Sequence, residues 1–171
     1  MKAAVLGAVG LLIAACGGTS APAPRMQPQP LDSFLLSALR AADMTRAGVV
    51  AAFGQPDSVR SLPTANRHDP AVTDSLVTIF YGDARYDFYI VSQGPAELLD
   101  HAIVTGNRHL RYDAPRVGTP ADSLRAWWGE PVSASSSALE YDCSACEVPH
   151  PARFVIAQGM VREIHFDLYV D

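Results

Sequence analysis

Two stretches of this chain stop a short helical pattern in the same way, and that repetition constrains the fold more than any other feature. Thr45-Arg46-Ala47-Gly48-Val49-Val50-Ala51-Ala52-Phe53 ends at Gly54-Gln55-Pro56, and Thr119-Pro120-Ala121-Asp122-Ser123-Leu124-Arg125-Ala126-Trp127-Trp128 ends at Gly129-Glu130-Pro131. Val49, Val50 and Phe53 fall at helical spacing, as do Leu124, Trp127 and Trp128. Thr45 and Thr119 suit the N-cap, Pro120 the first helical position, and Asp122 the positive helix end. Gly54 and Gly129 suit a left-handed stop, and Pro56 and Pro131 forbid continuation.

Alternating strand patterns follow each helix. Ser75 to Tyr81, Arg85 to Val91 and Leu98 to Thr105 follow the first, with turns at Gly82-Asp83-Ala84 and Gln93-Gly94. Ala138 to Asp142, Ala152 to Ala157 and Val161 to Val170 follow the second, with a turn at Gln158-Gly159. In the last strand Ile164, Phe166, Leu168 and Val170 share one face, and His165, Asp167 and Tyr169 the other, as in a half-buried antiparallel strand. Ser58 to Asp74 reads as a polar, Pro-containing loop found only in the first copy. Leu31 to Ala42 reads as an extra helix, with Leu31, Phe34, Leu35, Ala38, Leu39 and Ala42 on one stripe. One such unit is too small for a core. The expected fold is therefore α+β: tandem helix-plus-three-antiparallel-strand units, 43–109 and 116–171, joined in a two-layer sheet with the helices packed on one face.

The N-terminus has the order of a secretory signal: Lys2, an apolar run from Ala3 to Ala14, then small residues up to Ala15. The run is too short to span a bilayer as a mature helix. Ile13-Ala14-Ala15-Cys16 resembles a lipobox. That resemblance implies a signal peptide over 1–15, cleavage before Cys16 and acylation of Cys16, and several acyl chains make a stable membrane anchor. Residues 16–30 are mostly Pro, Gly, Ala and Gln, with a single charge at Arg25, and read as a flexible tether to a domain over 31–171. Gly17 stands where Asp would imply inner-membrane retention, so the expected place is the cell envelope, lipid-anchored to the outer membrane and facing the periplasm.

Lys2 is the only lysine in a chain of net charge −5. An acidic mature chain argues against nucleic acid, which needs a basic footprint, and against docking on anionic lipids.

The helix ending in Gly-x-Pro, followed by an aromatic-rich meander, resembles the SmpA/OmlA (BamE-like) lipoprotein family. Val117-Gly118-Thr119-Pro120-Ala121-Asp122-Ser123-Leu124, with Trp128-Gly129-Glu130-Pro131, is the closest stretch, and Met44-Thr45 with Phe53-Gly54-Gln55-Pro56 matches in the first copy. The duplication also looks like the β-lactamase-inhibitor-protein fold. The resemblance implies a binding module of the cell envelope, in outer-membrane protein assembly or envelope maintenance, with an envelope protein as partner and the membrane reached through Cys16. An inhibitor of an exported enzyme is a second reading, with Ser58 to Asp74 projecting from a saddle-shaped pair of units.

Local chemistry is sparse. Cys143-Ser144-Ala145-Cys146 in an exported protein points to a disulfide closing a very short loop. A redox role needs Cys143 at a helix N-terminus, and Glu147-Val148-Pro149-His150-Pro151 is no helix. A metal role needs two more ligands, for which His150 and His165 are the candidates. A metal or redox protein using Cys143 and Cys146 thus stays as a third reading. His68, His101 and His109 stand at no ligand spacing, and Asp83, Asp87 and Asp100 at no catalytic one. The expectation is no enzyme, no cofactor and no metal. Trp127 and Trp128 are candidate contact anchors, since Trp is enriched at binding hot spots, with core packing as the alternative. The strand tyrosines, Tyr81, Tyr86, Tyr89, Tyr141 and Tyr169, are either an aromatic binding face or strand formers.

Overall fold

The computed structural model describes residues 29–41 and 43–168. Its body is a single eight-stranded antiparallel sheet. The strands are β1 (Ser58–Ala65), β2 (Thr73–Tyr81), β3 (Ala84–Ile90), β4 (Glu97–Val104), β5 (Ser133–Ala134), β6 (Ala138–Tyr141), β7 (Ala152–Ala157) and β8 (Met160–Asp167). They lie in the order β1-β2-β3-β4-β8-β7-β6-β5. Three short helices, α1 (Leu31–Ser37), α2 (Arg46–Phe53) and α3 (Ala121–Trp128), pack on one face.

This corrects the expected fold class. The chain is not a pair of helix-plus-three-strand units; one continuous sheet dominates, and the helices amount to two turns each. Ser58 to Asp74 is no loop: it supplies edge strand β1 and the start of β2, paired from Ser58↔Phe80 to Ala65↔Thr73. The physical reason is exposure. A strand with solvent on both sides carries no apolar alternation, and Val59 and Leu62 are 58% and 50% exposed. Pro63 is tolerated because β1 is an edge. Strand β5, with two residues, is likewise too short to leave a pattern.

Other local expectations divide. Thr45 caps α2, its hydroxyl accepting from the Gly48 amide at 3.0 Å. Thr119 does not cap α3; Pro120 holds that position without a side-chain bond, and the Thr119 hydroxyl accepts from the Arg116 amide instead. Gly54 and Gly129 stop their helices at φ +84° and +80°. Their N–H groups donate to the Val50 and Arg125 carbonyls, and their own carbonyls accept from the Tyr81 and Tyr141 hydroxyls at 2.9 and 3.2 Å. Gln158 and Gly159, both at positive φ, make the two-residue hairpin between β7 and β8. Helix α1 ends at Ser37; Ala38 and Leu39 continue the buried stripe outside the helix, Leu39 as a bridge to Leu110, and Ala42 lies outside the described residues.

The core fills the space between sheet and helices. Tyr86, Phe88, Val104, Ile164, Phe166 and Phe154 are fully or almost fully buried there. Phe34 of α1 reaches across to the second half, its ring 5.0 Å from Trp128, 5.7 Å from Phe154 and 5.7 Å from Phe166. The halves meet where β4 pairs with β8, through His101↔Asp167, Ala102↔Phe166, Ile103↔His165 and Val104↔Ile164.

Candidate functional site

Among the described residues, no helix packs on the other sheet face. Its polar residues line up across strands because antiparallel register puts partners side by side. Asp87 on β3 stands opposite His101 on β4, and His101 opposite Asp167 on β8. Imidazole Nδ1 lies 3.4 Å from an Asp87 oxygen, and Nε2 lies 3.1 Å from an Asp167 oxygen. Arg85 donates twice to that Asp87 oxygen, at 3.0 and 2.8 Å, and the Thr78 hydroxyl donates to the other at 2.7 Å. Burial pushes the Asp87 carboxyl up, but hydrogen bonds from His101, Thr78 and Arg85 outweigh it and hold the group below its ordinary value. The His165 ring meets the His101 ring edge-on at 5.9 Å, and its Nε2 lies 2.9 Å from a Glu163 oxygen.

A bulge shapes one end of this row. Asp87 faces His101 but Phe88 faces Leu99, so Asp100 is the extra residue and is re-aimed. It pairs with Arg67 at 3.1 Å, whose guanidinium also sits 5.1 Å over the Tyr89 ring. Asp87, Asp100, His101 and Asp167, with Pro149, Pro151 and Leu168, line a cleft of about 570 Å³. Most charges here are already paired, and the Asp167 carboxylate is the freest at 62% exposure. The chemistry available is hydrogen-bond recognition: a carboxylate, an imidazole and a guanidinium fixed on a rigid sheet. Among the described residues no group of three His, Cys, Asp or Glu side chains is placed to hold a metal ion.

A second polar cluster is internal. His109 is fully buried, with Nδ1 2.8 Å from the Tyr86 hydroxyl and Nε2 3.0 Å from an Asp83 oxygen, and the Phe53 ring 4.2 Å away. Burial pushes the imidazole below its ordinary value, opposed by the Asp83 carboxylate; burial also raises the Tyr86 hydroxyl. These groups hold the 3₁₀ turn Asn107–His109 against β3.

Cys16 lies outside the described residues, as do the signal and most of the tether. Cys143 and Cys146 are joined as a disulfide with Cα atoms 5.4 Å apart, in the loop after β6. Of the two histidines considered as co-ligands, His165 is on the sheet face with Glu163, and His150 has its amide on Asp142 at 2.9 Å. Trp127 and Trp128 are half-buried against the core. Trp128 packs on Phe34, Tyr141 and Phe154, and its indole N–H donates to the Gln29 carbonyl at 2.9 Å. Asp87 and His101, set aside in the sequence for want of a catalytic or ligand spacing, and Asp167, read there only as an outward strand residue, are the ones the sheet brings together. The signal for them was a polar residue at the outward position of three separate alternating strands.

No family model matches the chain, and neither the curated proteins nor the solved structures hold a match to it. Among the described residues no helix is long and apolar enough to cross a membrane.

Proposed function

We propose that this chain is a cell-envelope lipoprotein, held at the outer membrane by acyl groups on Cys16, and that it acts as a protein-binding module and not as an enzyme. The lipobox and the SmpA/OmlA-like helix stops support the class, with a role in envelope maintenance or outer-membrane protein assembly. One observation carries the binding surface: all three helices pack on one sheet face, while the opposite face presents the Asp87–His101–Asp167 row and its cleft. Rigid strands place these groups with little entropy left to lose on binding.

The test is site-specific photo-crosslinking in intact cells. A photoreactive residue at Leu62 or Ile103, on the helix-free face, is expected to give discrete protein adducts, and one at Ala126 of α3 none. Adducts confined to Ala126 would sink the surface assignment. Metabolic labelling with palmitate is expected to mark the chain and to fail in Cys16→Ser. The adduct's identity separates assembly from inhibition: barrel-assembly components support the first, an exported hydrolase the second.

A further inference from the structure

On the helix side of the sheet, between α1 and the end of β8, lies a cavity of about 190 Å³ that shares only Leu168 with the cleft. Its walls are apolar: Leu36, Leu39, Met44, Phe166 and Leu168. Two polar side chains reach it. The Ser37 hydroxyl is already spent on the Ser33 carbonyl at 2.6 Å. The other is His150, whose Nδ1 is buried and has no hydrogen-bond partner among the described residues.

This imidazole is held in place. His150 stands between two prolines, and its amide donates to the same Asp142 oxygen that takes the Cys143 amide, at 2.9 and 2.7 Å. The Cys143–Cys146 disulfide closes the loop that begins there. A buried polar atom without a partner costs free energy, and native structures keep few of them. A dry apolar cavity of about 150 Å³ already accommodates benzene. We infer that this cavity binds a small apolar molecule carrying one hydroxyl, a phenol or a short branched alcohol, with the hydroxyl on His150 Nδ1 and the body among the leucines and Met44. A hydroxyl both donates and accepts, so it satisfies Nδ1 in either imidazole tautomer, which an ammonium group or a carbonyl does not. Leu36, 59% exposed, stands at the wall of the cavity and gives the ligand an apolar approach.

Phenol and its isostere toluene are the probes, titrated into the full chain with its disulfide intact. Phenol is expected to bind saturably, to shift the ¹⁵N resonance of His150 Nδ1, and to bind about tenfold tighter than toluene, a difference of about 1.4 kcal/mol. In His150→Leu the preference for phenol is expected to vanish while toluene still binds. The ¹⁵N shift is read on the unaltered chain, so it stands even if the variant fails to fold. Phenol that does not saturate, an unmoved Nδ1 resonance, or a preference that survives in His150→Leu overturns the site and leaves the nitrogen to ordinary water.

Discussion

Asp74 shows how much one side chain can hold. It is buried at the outer end of β2, where one oxygen accepts from the Ser92 amide at 2.8 Å and the other from the Asn66 side chain and the Tyr89 hydroxyl. The Ser92 amide and the Tyr89 hydroxyl outweigh burial and lower the carboxyl from 3.8 to about 2. A depressed carboxylate contributes stability that is complete above its unfolded value and lost as pH falls through the folded one. Thermal unfolding followed by circular dichroism should therefore show this contribution disappearing between about pH 4 and pH 2. Asp74→Asn should melt lower at neutral pH and lack that component of the acid transition. An unchanged acid transition in the variant would refute the assignment. The sheet-face row teaches a different lesson at this scale. Asp87, His101 and Asp167 become neighbours only through strand register, so no local spacing announces them. Asp74 was hidden in the same way, since Asn66 reaches it from the turn between β1 and β2 and Ser92 from the turn between β3 and β4.

At the scale of elements, α2 and α3 are each ended by a glycine whose carbonyl a tyrosine hydroxyl then holds. Gly54 has φ +84° with ψ −170°, and Gly129 φ +80° with ψ −159°, a region only glycine enters without strain. Gly54→Ala and Gly129→Ala should each cost about 1–3 kcal/mol in urea unfolding. The two losses should be similar, because both carbonyls serve the same kind of tyrosine bond. A neutral result at either site would show that the backbone relaxes there. These stops were plain in the sequence because Gly-x-Pro acts locally. The strands with one buried face were plain too, since period-two burial is written into β2, β4 and β8. Edge strand β1 was not, because nothing buries it and its residues follow no face. The cap of α3 falls one residue later than expected, at Pro120, and the Thr119 hydroxyl is taken by the Arg116 amide behind it.

For the whole molecule, the decisive contact is α1 on the far half of the sheet. Phe34 has no exposed surface and lies among Trp128, Phe154 and Phe166, while Asp32 accepts from the Ser144 amide at 3.1 Å. Phe34→Ala should destabilise the protein by about 3–5 kcal/mol. Trp128 fluorescence should shift red in the variant as its ring gains water. A loss below about 1 kcal/mol would mean that α1 is a passenger. This contact joins sequence-distant parts, which is why the stripe in Leu31 to Ala42 revealed a buried face and not its partner.

The pairing of β4 with β8 has a kinetic meaning. Every other strand pair joins segments close in sequence, but Val104↔Ile164 and its neighbours close a loop of some sixty residues. Loop closure is entropically costly and slow contacts are the non-local ones, so the two half-sheets can zip by themselves while their union sets the folding time. His101 and Asp167 sit on that union. A ligand seated on their row therefore bridges both half-sheets at once, and its occupancy would be felt as a brake on their separation.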